Sequence, residues 1–338
     1  MGQAPDVRIS LLGLGRAGGF HLASIRALPG VELVQVHDTD PERAAEVAAA
    51  HGCRRAASPA EATGATDIDA VVVATPTQSH FGYVEAALDA GKPVLSEKPL
   101  GTTVAEIDRC FGLAEARDVP LLVAFQRRFD ASFAAVAAAA HAGEVGGLQF
   151  IRSVSRDSPV PSLAYLETSG GIFHDCVVHD FDLVCWVAGE APEEVFAYGS
   201  NFAPGVREIG DLDNVVVSLR FPSGLLASID ASRQGPHGYD QRLEVLGLEG
   251  MVESRNWPQN TAEVSTAAGS RRAPIDYSFP TRYAEAYRNE FVCFLDCVRG
   301  DRTPPITHAD VRLNHRVADA AALSARTGKP IRLDEVEG

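Results

Sequence analysis

No stretch of the chain is apolar for the length of a transmembrane helix, which excludes a spanning segment of that kind. No basic region precedes the short apolar run that follows residues 1–6, and glycines soon break that run, so no secretory signal is expected. Asp6 stands where a myristoylation signal wants Ser or Thr. The expected location is cytoplasmic. The six cysteines, Cys53, Cys110, Cys176, Cys185, Cys293 and Cys297, form no Cys-x-x-Cys pair, which leaves neither a zinc ribbon nor a disulfide scaffold. They read as buried thiols, with Cys293 and Cys297 one helical turn apart on a shared apolar face. Positive charge is scarce: 30 Lys and Arg against 45 Asp and Glu give a formal net charge of -15. Such a field repels a phosphate backbone and an anionic bilayer, so neither nucleic acid nor membrane is expected as a partner. A phosphorylated cofactor stays open, because a helix N-terminus binds phosphate locally whatever the global charge. Low-complexity tracts and fixed-period repeats are also missing.

What is present is 338 residues of ordinary globular composition, 46% hydrophobic and 22% charged, longer than a single core usually grows. The first third alternates apolar runs with Ala-rich helical stretches. Strands are expected at 7–12, 31–36, 70–74, 93–96 and 120–124, and helices at 17–28, 41–51, 77–90 and 103–117. Continuous Val, Leu and Ala in the strands implies burial on both faces, the mark of a parallel α/β sheet. Past residue 125 the pattern changes. A helix at 131–141, a strand at 148–155 and a helix at 176–187 precede strand-like runs at 195–200, 214–221, 225–232, 242–246 and 251–254. Pro222-Ser223-Gly224 marks a tight turn between two of these runs. Helices at 283–299 and 310–325 close the chain. The expected fold is α/β: an N-terminal doubly wound Rossmann domain over 1–124, then an α+β domain over 125–338 with a large, mostly antiparallel, open-faced sheet.

Gly13-Leu14-Gly15-Arg16-Ala17-Gly18 follows the first strand and opens a helix, the setting a dinucleotide fingerprint requires. Gly13 permits the tight turn, Gly15 the approach of a pyrophosphate, and Gly18 the packing of helix on strand, while free N–H groups and the helix dipole hold the phosphates. The second strand ends in Val36-His37-Asp38, about twenty residues beyond Gly18, where a carboxylate accepts hydrogen bonds from a ribose diol and repels a 2′-phosphate. NAD is therefore preferred to NADP. The competing reading of Asp38 is part of the turn before the next helix, a task Asp40 can fill alone. Two further loops lie at the carboxyl ends of strands, where open α/β sheets bind ligands. One is Ala74-Thr75-Pro76-Thr77-Gln78-Ser79-His80, the other Glu97-Lys98-Pro99, for which a structural ion pair of Glu97 with Lys98 is the alternative.

These three segments, in this order and at these strand ends, resemble the glucose-fructose oxidoreductase and inositol 2-dehydrogenase family. The likeness continues through Gln126-Arg127-Arg128-Phe129-Asp130 and Gly170-Gly171-Ile172-Phe173-His174-Asp175-Cys176-Val177-Val178-His179-Asp180-Phe181-Asp182, and reaches Gly238-Tyr239-Asp240 and the last helices. It covers nearly the whole chain. Asp175-x-x-x-His179 is most similar to the inositol dehydrogenase branch, whose members oxidise a ring hydroxyl of a cyclitol and reduce NAD. The resemblance implies Lys98, Asp175 and His179 as the catalytic set, with Gly13, Leu14, Gly15, Arg16, Ala17, Gly18, Asp38, Thr75, Pro76, Thr77, His80, Glu97, Lys98 and Gln126 at the cofactor. Lys98, Arg127, Asp175, His179 and Tyr239 would meet a polyol, cyclitol or sugar. His237 stands where an aromatic residue is expected and Gln126 where inositol enzymes often carry Met, so the substrate need not be myo-inositol.

The residue types suit that chemistry. Hydride transfer from a carbinol needs a base for the hydroxyl proton, and a histidine with a reference pKa of about 6.5 is a neutral acceptor near pH 7. Asp175 lies one turn before His179 and can orient or balance its imidazole. Lys98 can hydrogen-bond the reacting oxygen as alkoxide character develops. No metal is expected, since the remaining histidines are dispersed and a metal enzyme wants further ligands at helical offsets; His174 reads as a structural residue. Arg127 and Arg128 read either as surface charges or, for Arg127, as a substrate contact, and Asp157 and Asp182 as turn or rim residues. Two other functions stay open: a redox-assisted glycosidase or lyase that retains NAD, and a non-catalytic NAD sensor, against which the joint presence of Lys98, Asp175 and His179 argues. An antiparallel sheet with an open face must be covered, so a homodimer or homotetramer is expected.

Overall fold

The structure, a computed structural model, describes residues 7–336, so the expectations for residues 1–6 lie outside the described residues. The first part of the chain runs β1 (Val7–Leu12), α1 (Arg16–Ala27), β2 (Val31–His37), α2 (Pro41–His51), β3 (Arg54–Arg55), α3 (Pro59–Gly64), β4 (Ala70–Val73), α4 (Thr77–Asp89), β5 (Val94–Glu97), α5 (Val104–Arg117) and β6 (Leu121–Ala124). The six strands are all parallel in the order β3-β2-β1-β4-β5-β6. β4, β5 and β6 are buried at every position. Each fully buried Val or Leu there contributes about 1.5–3 kcal/mol, which is why these strands read as unbroken apolar runs. The order reverses between β1 and β4, and such a switch point opens a crevice at the carboxyl ends of the strands. Local chemistry fixes the helix starts: Asp40, Ser58 and Thr103 each cap the first turn of α2, α3 and α5 with a side-chain oxygen.

A turn of 3-10 helix (Gln126–Phe129) leads to α6 (Ala131–His141), β7 (Leu148–Arg156), α7 (Leu163–Leu166), a π-helical turn (Phe173–Val177) and α8 (Val178–Ala188). Next come β8 (Glu194–Ser200), β9 (Asn214–Arg220), β10 (Leu226–Ser232), β11 (Asp240–Gly247), β12 (Met251–Ser254), β13 (Glu263–Thr266), β14 (Gly269–Arg272) and α9 (Phe279–Arg282). Last among the described residues come α10 (Ala284–Arg299), α11 (His308–Thr327), β15 (Ile331–Arg332) and a turn of 3-10 helix (Leu333–Glu335). Seven strands form one sheet in the order β12-β11-β7-β10-β9-β8-β15. Its central pair, β7 and β10, is parallel and every other pair antiparallel. The β9–β10 hairpin closes where the Pro222-Ser223-Gly224 signal placed it, with Gly224 N–H bonded to the Phe221 carbonyl at 3.0 Å and Gly224 at φ +91°. Along β9 buried and exposed residues alternate, as a sheet with one covered face requires.

Two compact units result. One runs through Gln126 and takes in Glu285–Arg312; the other is Arg127–Ala284 with the residues from Leu313 on. Residues 285–312 thus return to the first unit rather than continuing a single stretch from 125. The reason is packing: on α10, Tyr287 stacks on Phe20 at 5.0 Å and meets His21 edge-on, while Arg299 donates to the Gly30 carbonyl at 3.2 Å. Cys293 and Cys297 are both buried on α10. No helix among the described residues is long and apolar enough to cross a membrane.

Candidate active site

In the first unit the glycine loop joins β1 to α1. Gly13 has φ +86°, and a Cβ there would lie 2.3 Å from the Ala74 carbonyl oxygen. At Gly18 a Cβ would lie 2.0 Å from the Gly13 carbonyl oxygen. Only glycine fits either place, because the loop is pressed against the end of β4 on one side and against its own helix on the other. Gly15 differs, since a Cβ there would meet nothing within 4 Å. The space the fingerprint reserves for a pyrophosphate is open, and Gly15 stands as the N-cap of α1 with no side-chain cap hydrogen bond.

Asp38 joins this loop to the end of β2. Its Oδ2 accepts the Leu14 N–H at 2.7 Å and its Oδ1 the Asp40 N–H at 2.9 Å. The cap of α2 is Asp40, whose Oδ1 accepts from the backbone of Glu42 and Arg43. The competing assignments of Asp38 and Asp40 therefore separate: one carboxylate serves the helix, the other the glycine loop. These residues fit a dinucleotide, with a helix start that no side chain caps for phosphate and a carboxylate for a ribose diol.

The two neighbouring loops are tied together by His80, whose Nδ1 lies 2.7 Å from the Pro99 carbonyl and Nε2 2.6 Å from the Thr75 carbonyl. Burial pushes its pKa down, while the two carbonyls oppose that effect. Thr75 also receives a hydrogen bond from Ser79, and Pro76 sits at the start of α4. Thr77 is the first residue of that helix, and Gln126 is buried just beyond β6. Glu97 turns inward and pairs with His21, a residue the motif reading passed over, at 3.0 Å. Burial would raise the Glu97 carboxyl, but the His21 hydrogen bond and charge, with Lys98 beside it, hold it below its usual value. Glu290 on α10 is fully buried near Glu97 with neither carboxyl oxygen hydrogen-bonded, and burial followed by repulsion from Glu97 raises its pKa well above the ordinary range.

In the second unit Asp175 sits in the π-helical turn and His179 in the first turn of α8. The helix starts earlier than residue 176 and with a wider turn. Asp175 is fixed by two side chains that sequence spacing did not indicate: Tyr165 donates to Oδ1 at 2.7 Å and Arg233 Nη1 to Oδ2 at 2.9 Å. Arg233 is buried and also reaches Asp211 at 3.2 Å. It follows directly on β10, far in sequence from residue 175. Arg127 and Arg128 are not surface charges. Arg127, 3% exposed, pairs with Asp180 at 2.9 Å and donates to Ser155, and Arg128 grips Asp182 with both Nε and Nη2. Asp182 is thus a buried partner rather than a rim residue. Tyr239 is buried edge-on against Tyr283 at 5.8 Å, and His237 pairs with Asp240 at 3.2 Å. His174 faces away from a purely local role: its Nε2 lies 2.9 Å from Asp319 on α11.

Comparison with known proteins adds three kinds of likeness. Residues 7–125 match a family model described as an oxidoreductase family with an NAD-binding Rossmann fold, and residues 133–253 match the GFO/IDH/MocA C-terminal domain. The chain is 35% identical to the myo-inositol 2-dehydrogenase of Thermotoga maritima over 98% of its own length and 100% of that protein's. It is 36% identical to the inositol 2-dehydrogenase of Rhizobium meliloti, over 97% of this chain and 99% of that one. The solved structure of scyllo-inositol dehydrogenase from Lactobacillus casei with bound NAD(H) and scyllo-inositol superposes with a TM-score of 0.91 at 26% identity, covering 98% of this chain and 100% of that chain.

Proposed function

The chain belongs to the GFO/IDH/MocA family of oxidoreductases, and from that premise we propose that it oxidises a secondary ring hydroxyl of a cyclitol with NAD. The observation that carries this reading is end-to-end similarity to inositol 2-dehydrogenases, combined with an open glycine loop that keeps Asp38 at its edge. NAD, when bound, supplies the hydride acceptor. Gly13, Leu14, Gly15, Arg16, Ala17 and Gly18 are the proposed pyrophosphate cradle, Asp38 the ribose ligand, and Thr75, Pro76, Thr77, His80, Glu97 and Gln126 the surrounding support.

His179 is assigned as the base that takes the hydroxyl proton. Asp175, held by Tyr165 and Arg233 one turn earlier, is assigned to orient the imidazole. Lys98 is assigned as the donor to the reacting oxygen, where a cation stabilises developing alkoxide. Arg127 and Tyr239 are buried, so their proposed share in substrate recognition is to fix the wall that the hydroxyls meet. The domain limits 1–124 and 125–338 are kept only as functional halves, cofactor and substrate. A homo-oligomer in the cytoplasm completes the proposal.

The test is isotopic. A cyclitol carrying deuterium on the oxidised carbon should give deuterated NADH and a ring ketone in equal amounts. Label that returns to the carbon skeleton with no net NADH would favour the redox-assisted lyase, and no label movement a sensor.

A further inference from the structure

The histidines are less dispersed than the sequence suggests. α11 presents His315 and Asp319 four residues apart on one face, and the π-helical turn brings His174 onto the same carboxylate. Each ring addresses a different oxygen: His174 Nε2 lies 2.9 Å from Asp319 Oδ1 and His315 Nε2 3.5 Å from Asp319 Oδ2. The rings are 5.2 Å apart, and one ligand atom from each of the three residues lies within 4.8 Å of the others. We infer that His174, His315 and Asp319 form a binding site for a divalent transition-metal ion of the zinc class, independent of the proposed redox chemistry.

Two imidazole nitrogens and one carboxylate oxygen are three donors of borderline softness, the set that selects Zn2+ or Co2+ over Ca2+ or Mg2+. Metal-to-ligand distances of about 2.0–2.2 Å place neighbouring donors roughly 3.3 Å apart, so an ion would open the 2.9 Å His174–Asp319 contact slightly and draw together donors that now lie within 4.8 Å of one another. The site is graded in access. His315 is buried and His174 and Asp319 are part-exposed, which leaves solvent to supply a fourth ligand. An ion here would tie α11 to the turn that carries Asp175, between residues 145 positions apart in sequence. That makes it a structural clamp. A wide helical turn is a frequent companion of functional sites, and here it sets the direction of His174.

The experiment uses full-length protein stripped with a chelator, dialysed and titrated with Co2+ and Zn2+. One equivalent of Co2+ should bind, with the visible bands of a four-coordinate nitrogen and oxygen site and no sulfur-to-cobalt charge transfer. Zn2+ at about a hundredfold excess over its dissociation constant should raise Tm by roughly 5 °C. His315→Gln and Asp319→Asn should each abolish the bands and the Tm rise while keeping the native circular dichroism. Failure of the native protein to bind one equivalent overturns the proposal, whatever the variants do. Bands that persist in both variants, or that show thiolate character, also overturn it by placing the metal on another site such as the cysteines.

Discussion

Arg233 carries two carboxylates, Asp175 and Asp211, on a guanidinium that is 1% exposed. Removing one partner of a buried ion pair leaves the others desolvated and unbalanced, at a cost of about 3–5 kcal/mol. Arg233→Met is therefore expected to unfold at markedly lower urea concentration. Arg233→Lys, which keeps the charge and loses the two-pronged grip, is expected to fold but to lower kcat with little change in KM. A raised KM with kcat unchanged would speak against a positioning role for Arg233. A second residue gives a pH signature. Glu290 has its folded pKa raised, so its contribution to stability is fully present below the unfolded value of about 4.3 and is lost as pH rises toward the folded value. Glu290→Gln, neutral at every pH, should match the native Tm near pH 4 and exceed it increasingly toward pH 8 in thermal melts. A gain that shrinks with pH would contradict the buried neutral carboxyl.

At the scale of elements, the glycine loop separates two tasks that look alike in sequence. Gly13→Ala must either move the end of β4 or break the turn, since a Cβ there lies 2.3 Å from backbone. It should lower Tm sharply. Gly15→Ala meets open space, so it should keep Tm and lose NAD affinity, measured by calorimetry. The elements most legible from sequence were those with strong local chemistry: the Asp40-Pro41 start of α2, the unbroken Val run of β4 and the Pro222-Ser223-Gly224 turn. β3 is two arginines and α3 a single Pro-Ala-Glu-Ala-Thr-Gly turn, neither with an apolar run or period to read, hence their omission. The exposed β13–β14 hairpin has no apolar alternation and was likewise missed. The parallel pairing of β7 with β10 joins strands about seventy residues apart in a sheet that is otherwise antiparallel. Nothing local encodes it or the meeting of Arg233 with Asp175. The same holds for His315 and Asp319, which the sequence reading did not single out and which meet His174 only in the fold.

At the scale of the whole molecule, the seven-stranded sheet leaves Tyr198, Val216, Leu226, Leu246 and Met251 exposed. Tyr198 and Val216 are cross-strand partners, as are Leu246 and Met251, so these side chains share faces rather than scatter. Paired exposed apolar side chains of this kind suit an interface, and light scattering after gel filtration is expected to give a mass of two or four chains. Tyr198→Glu should shift it toward 35.9 kDa, the mass of one chain; a monomeric native protein would remove the oligomer from the account. The central claim, oxidation of a cyclitol with His179 as base, is tested most directly by NADH formation at about 340 nm, the absorbance that the reduced nicotinamide cofactor carries, on a panel of inositols with native protein and His179→Ala. Turnover on at least one inositol with NAD, falling by roughly 100-fold or more in the variant while NAD affinity is unchanged, is the predicted result. Undiminished turnover in His179→Ala, or silence of the native enzyme on every inositol despite tight NAD binding, would contradict it.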